Sequence, residues 1–148
     1  MALFRREMSF MFAIDTNIWI YSQDKRDLLK QSVALELIAT TRPLVLPWQV
    51  GCEFMSASRK LAAFGLSEHH AWECLGAMES MSNAILLPRS SQWLLGRQLK
   101  AKYMISYWDA MLAAACIDGN VNVLYTEDFG GSPFIEGMKI VNPFARPG

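Results

Sequence analysis

The chain has 148 residues, 52% of them apolar, with 14 basic side chains balancing 14 acidic ones and a mean hydropathy of +0.14. That length suits one domain with a sizeable core. Zero net charge gives no strong electrostatic footprint for nucleic acid, and no uninterrupted apolar stretch is long enough to span a bilayer.

At the N-terminus, Arg5 and Arg6 precede an apolar stretch in the manner of a secretory leader. Asp15 interrupts that stretch and no small-residue cleavage site follows, so a leader is rejected. Met8 and Met11 are alternative starts, and residues 1–7 are expected to be a disordered extension of a single domain over 1–148. Phe10–Ile14 reads as a buried strand that ends in Asp15-Thr16-Asn17. A carboxylate at the end of a buried parallel strand lies where open α/β sheets build their sites. Charging it there is costly unless a cation or a donor meets it.

Asn17–Ser22 is read as a short helical turn, and Asp27 can cap a helix running to about Ala39. Leu44–Pro47 is a second strand. Trp48–Phe64 reads as one helix ended by Gly65, and Ser67 caps another to about Met81. Ala84–Leu87 is a third strand, closed by Pro88. Ser91–Tyr103 is a helix with Trp93, Leu94 and Leu95 on its apolar side. A further helix starts near Ser106, carries Asp109 and ends at Asp118-Gly119-Asn120. Val121–Tyr125 is a fourth strand, followed by Thr126-Glu127-Asp128, and Lys139–Val141 a last edge strand. Strands alternating with helices imply a mostly parallel sheet of four to five strands, covered on both faces in a three-layer α/β/α arrangement.

Right-handed crossovers bring the carboxyl ends of those strands to one side. Asp15 and Asp128 each closely follow a strand, while Glu53 and Asp109 lie in the first turns of helices. Four acids from distant positions can therefore converge. They would repel one another strongly unless cations sit among them, and oxygen-only ligation suits Mg²⁺ or Mn²⁺. Taken singly, each has a plain reading: Asp109 and Glu53 as a helix cap or a solvated group. Asp118 reads as a helix-end residue on the far face, and Glu127 as the close competitor of Asp128. Arg59 and Lys60 read mainly as a solvated helix end. His69 and His70 point about 100° apart on a helix and cannot easily share one metal. Cys52, Cys74 and Cys116 sit in apolar helical stretches and read as reduced core residues of a cytosolic protein.

Ile14-Asp15-Thr16-Asn17, Glu53 after Leu46-Pro47, Tyr107-Trp108-Asp109-Ala110, Leu124-Tyr125-Thr126-Glu127-Asp128-Phe129 and Val141-Asn142-Pro143-Phe144 occur in that order. In order and spacing they resemble the PIN domain family, and within it the VapC-type toxins of toxin–antitoxin pairs. The resemblance implies a Mg²⁺- or Mn²⁺-dependent endoribonuclease in the cytoplasm, a homodimer and a cognate antitoxin. It makes Asp15, Glu53, Asp109 and Asp128 the catalytic and metal-binding acids, with Thr16, Asn17 and Thr126 beside them. Trp19, Tyr21, Trp48, Phe54, Trp72 and Trp93 are too many aromatics for one small core. Most are expected inside, and one or two in a groove for an antitoxin helix.

Three alternatives were weighed. A catalytically inactive RNA- or protein-binding module on the same fold is the main one, since fold does not fix activity. A phosphoreceiver domain expects a Lys after a later strand, and none stands there. A dinucleotide fold expects Gly-x-Gly-x-x-Gly after the first strand, which is absent.

Overall fold

The computed structural model describes residues 10–145, so the proposed extension over 1–7 lies outside the described residues. β1 (Phe12–Ile14) leads into α1 (Thr16–Tyr21) and α2 (Leu28–Thr40), then β2 (Val45–Pro47), α3 (Trp48–Ser58) and α4 (Glu68–Met81). β3 (Ala84–Leu86), α5 (Ser91–Tyr103), α6 (Tyr107–Asp118) and β4 (Val123–Tyr125) follow, and a hairpin of β5 (Phe134–Ile135) and β6 (Met138–Val141) closes the chain.

β1 pairs with β4 and β4 with β6, all parallel, and β2 pairs in parallel with β3. A parallel bridge between Phe12 and Leu44 joins the two groups. Among the described residues the strands thus run in the order β3-β2-β1-β4-β6-β5, with only β5 antiparallel. The central strands are buried, with Val45, Leu46 and Leu124 nearly inaccessible, whereas the edge strands β3 and β5 are partly exposed.

The winding reverses at β1. From β1 the chain moves outward through α1 and α2 to β2, and through α3 and α4 to β3. It then returns through α5 and α6 to β4. Right-handed crossovers in opposite directions place these two sets of helices on opposite faces. The packing agrees: α1 lies against α2 and α3, and α3 against α4, while α5 and α6 pack closely on each other. The gap between the carboxyl ends of β1 and β4 is the switch point where such sheets bind ligands.

Three local readings change. The expected helix over Trp48–Phe64 stops being α-helical at Ser58 and continues as a tighter 3₁₀ turn over Arg59–Phe64, ended by Gly65 at φ 104°. In α5, Trp93 and Leu94 are exposed at 67% and 62%, and the buried side is Gln92, Gly96 and Leu99. That stripe faces α6, whose Met111 sulfur lies 2.5 Å from where a Cβ on Gly96 would stand. Hydrophobicity picked the wrong face because a polar residue and a glycine make the closest helix contact. Finally, β5 went unread. Glu136 and Gly137, at φ 48° and 86°, form the two-residue turn that joins it to β6.

The aromatic and cysteine readings also shift. Trp19 and Phe54 are core, but Trp48, Trp72, Trp93 and Trp108 are all more than half exposed. Cys116 is buried, Cys74 partly so, and Cys52 is exposed on α3; all three are free. Among the described residues no helix is long and apolar enough to cross a membrane.

Candidate functional site

Asp15 follows the last residue of β1 and, with φ −71° and ψ 159°, caps α1. Its Oδ1 accepts the Thr16 backbone N–H at 2.7 Å, and its Oδ2 accepts the Thr126 hydroxyl at 2.8 Å. The β1–β4 ladder continues past the strand through Asp15 N–H to Tyr125 O at 2.9 Å, and that sets Thr126 opposite Asp15. Asp15 is only 6% exposed. Burial pushes its carboxyl up from 3.8 to about 6. The bonds from Thr126 and Thr16 oppose the rise, and the charges of Glu53 and Asp109 add to it.

Glu53 comes from the second turn of α3, where Thr16 donates its hydroxyl to Oε1 at 3.2 Å. Burial raises this carboxyl, bonds from Thr16 and Gln49 oppose that, and Asp109 adds repulsion. Asp109 stands in the first turn of α6, its backbone N–H donating to Ser106 Oγ at 3.2 Å. It too is raised, first by burial and then by the charge of Asp128. Asp128 accepts the Asn17 side-chain amide at 3.1 Å, and its backbone N–H donates to Thr126 Oγ1 at 3.1 Å. Thr126, fully buried, therefore ties the first acid to the fourth.

Asp15, Glu53, Asp109 and Asp128 line one cleft of about 400 Å³ together with Thr16, Asn17, Arg26 and Lys60. None of the four acids takes part in an ion pair among the described residues. Glu127, the competitor of Asp128, turns away and pairs with Lys30 and the Tyr21 hydroxyl. Of the two basic residues after Glu53, Lys60 lines the cleft, whereas Arg59 lies in a hollow beside Leu66 and Trp72. The sequence signal for Lys60 was its place one to two turns after Glu53. Arg26 has no such signal: Asp24-Lys25-Arg26-Asp27 looks like any solvated turn.

The donor set is oxygen-only, as Mg²⁺ or Mn²⁺ requires. Its carboxylates repel one another, and Asn17 Oδ1 is a buried acceptor without a partner among the described residues. In these respects the cleft fits a divalent cation. As it stands, no three acidic, histidine or cysteine side chains among the described residues are gathered closely enough to hold an ion between them. Thr16 links Asp15 to Glu53, and Thr126 links Asp15 to the Asp128 backbone.

Fold and cleft together define an open α/β domain with a carboxylate site at its switch point. The PIN domain model matches residues 12–130, and the chain belongs to the PIN domain family. Among solved structures it is similar to a chain of a toxin–antitoxin complex from Klebsiella pneumoniae, at 23% identity and a TM-score of 0.62, covering 92% of this chain and 98% of that one. It is also similar to a chain of VapBC2 from Rickettsia felis bound to a promoter DNA fragment, at 16% identity and 0.64, covering 90% and 98%. A third is VapC20 of Mycobacterium tuberculosis, a toxin that cleaves the sarcin–ricin loop, at 17% and 0.63, covering 84% and 97%. At these identities the likeness establishes the fold. No curated protein matches significantly.

Proposed function

We propose that this protein is a Mg²⁺- or Mn²⁺-dependent endoribonuclease and the toxin of a toxin–antitoxin pair. The observation that carries the reading is that Asp15, Glu53, Asp109 and Asp128 line one cleft, with no protein cation paired to them among the described residues. Family membership and VapC-containing structural neighbours support it.

In this mechanism the four acids would hold the cation, with Asp15, Glu53 and Asp109 as the main ligands and Asp128 completing the site. When bound, such an ion lowers the pKa of water and stabilises the leaving oxygen of a phosphodiester. The chain's own residues set the geometry. Thr126 fixes the orientation of Asp15 and the loop carrying Asp128, Thr16 turns Glu53 inward, and Asn17 holds Asp128. Water would attack phosphorus in line with the 3′ oxygen and break the P–O3′ bond, so that one strand end carries a 5′-phosphate and the other, taking up the water's proton, a 3′-hydroxyl. The exposed Trp48, Trp93, Tyr107 and Trp108 line an apolar groove that shares Glu53 with the acid cleft. An antitoxin segment seated there would lie beside the active residues. A homodimer in the cytoplasm completes the reading.

The rival is an inactive RNA- or protein-binding module, and the separation of the acids favours it. Incubating the purified protein with a mixed RNA pool in Mn²⁺ and mapping the cut ends decides between them. Cleavage with 5′-phosphate ends that EDTA stops supports the nuclease. Intact RNA, together with no Mn²⁺ binding by calorimetry, leaves the binding module.

A further inference from the structure

A cleft walled by four carboxylates repels a polyanion, and the chain's neutral net charge gives no long-range help in capturing one. Two cations share the cleft, Arg26 and Lys60. Lys60 stands on the 3₁₀ turn with no ion-pair partner among the described residues. Arg26 is built differently. Its Nε donates to Asp24 Oδ1 at 2.9 Å and its Nη2 to Asp24 Oδ2 at 3.0 Å, so one edge of the guanidinium is clamped. The Arg26 backbone N–H also donates to Asp24 at 3.1 Å. The guanidinium carbon lies over the Phe64 ring, 4.3 Å from its centroid. Asp24 is itself buried, at 8% exposure.

An isolated surface ion pair needs neither a buried acceptor nor an aromatic floor. This one is immobilised on two sides, while Nη1 has no hydrogen-bond partner among the described residues and the side chain is about half exposed. A fork fixed in that way has lost its rotamer entropy before any ligand arrives, the condition for tight recognition of a phosphate oxygen. The 3₁₀ turn explains the placement. It carries both Lys60, the second cation of the cleft, and Phe64, the floor under Arg26.

We infer that Arg26, held by Asp24 and Phe64, is a substrate-positioning residue that grips a backbone phosphate of the RNA strand next to the scissile one, with Lys60 as its neighbour on the rim. The inference rests on the nuclease reading for the identity of the strand. It is tested by the salt dependence of single-stranded RNA binding, and by the steady-state kinetics of cleavage of the same RNA in Mn²⁺. Arg26→Ala should raise KM about tenfold with kcat nearly unchanged, since a charge-assisted bond to substrate is lost in ground and transition states alike. The slope of log K against log salt should fall by about 0.7, the value for one phosphate contact on a single strand. Arg26→Lys should restore the slope but not the KM, because it keeps the charge and loses the fork. Thermal melting of each variant checks the fold, and Lys60→Ala at the same rim gives a second slope.

Wild-type KM and slope in a folded Arg26→Ala variant overturn the inference while the nuclease stands. A wild-type protein that binds RNA with an Arg26-dependent slope but cuts nothing removes the nuclease and keeps the phosphate grip.

Discussion

Glu127 is met by Lys30 and Tyr21 on one side of its loop, whereas Asp128, one residue on, faces a cleft whose carboxylates are paired with no cation among the described residues. Burial alone would raise Glu127, but the bonds from Lys30 and Tyr21 outweigh it and hold the carboxyl below its usual range. Asp15, Glu53 and Asp109 are buried more deeply and have no cationic partner among the described residues, and all three are raised. A carboxylate is thus stabilising where the chain supplies the counter-charge and costly where burial is met by none. A cluster kept at a cost is a mark of function, and the missing counter-charge is what a divalent ion would bring.

The largest effect should come from removing the charge at the centre of that cluster. Asp15→Asn keeps the shape and the Thr16 bond but loses the anion. RNA cleavage in Mn²⁺ should drop by about 10³-fold or more, some 4 kcal/mol of barrier. The metal-free variant should melt higher than wild type at neutral pH, because a costly buried charge is gone. Wild-type cleavage rates would remove Asp15 from the chemistry.

The pH dependence comes next. Asp15 has a folded-state pKa of about 6, above its unfolded value near 3.9. Between those values the folded state holds the extra proton. Its contribution is therefore fully present below about pH 4 and is lost as pH rises through 6. Metal-free protein should lose about 3 kcal/mol over that window, the upper bound for a single group shifted by two units. Saturating Mn²⁺ should reverse the trend, since the ion binds the deprotonated form. Urea melts from pH 4 to pH 7, with EDTA and with Mn²⁺, check both. A flat metal-free profile contradicts the electrostatic account.

Thr126→Val tests the link between the first and fourth acids. The hydroxyl is buried and serves both Asp15 and the Asp128 backbone. Its loss should cost about 1–3 kcal/mol of stability, and 10–100-fold in cleavage or Mn²⁺ affinity. A variant with wild-type activity would show that the loop is aimed by other means.

How much of this was legible in the sequence varies with the signal each part leaves. The alternation of strands and helices gave the mostly parallel sheet, because buried strands have a compositional signature and Pro and Gly mark their ends. Asp15 and Asp128 stand at strand ends, which sequence can locate. Glu53 and Asp109 needed helix starts, marked by Pro47 and Ser106. What was lost depends on tertiary contact. The buried face of α5 is defined by Gln92 and Gly96, which no hydrophobic pattern selects. The 3₁₀ turn has no composition of its own, so the site of Lys60 and Phe64 was blurred into a longer helix. Glu127 and Asp128 differ only in which side of the loop holds Lys30, a residue nearly a hundred positions earlier.

The smallest effect belongs to the satisfied side of the comparison. Lys30 and Glu127 are partly exposed, at 32% and 26% of their side chains, so their pair is screened. Glu127→Gln should cost less than about 1 kcal/mol of stability and reduce cleavage only a few-fold, through looser placement of Asp128. The sign with pH is opposite to that of Asp15. A carboxyl held below its unfolded value contributes stability above about pH 4.3 and loses it as pH falls through the lower folded value. The difference in melting temperature between wild type and Glu127→Gln should therefore be largest at neutral pH and shrink on acidification. A large loss of activity at unchanged stability would instead move Glu127 into the site, and with it the boundary between the satisfied and the unsatisfied carboxylates.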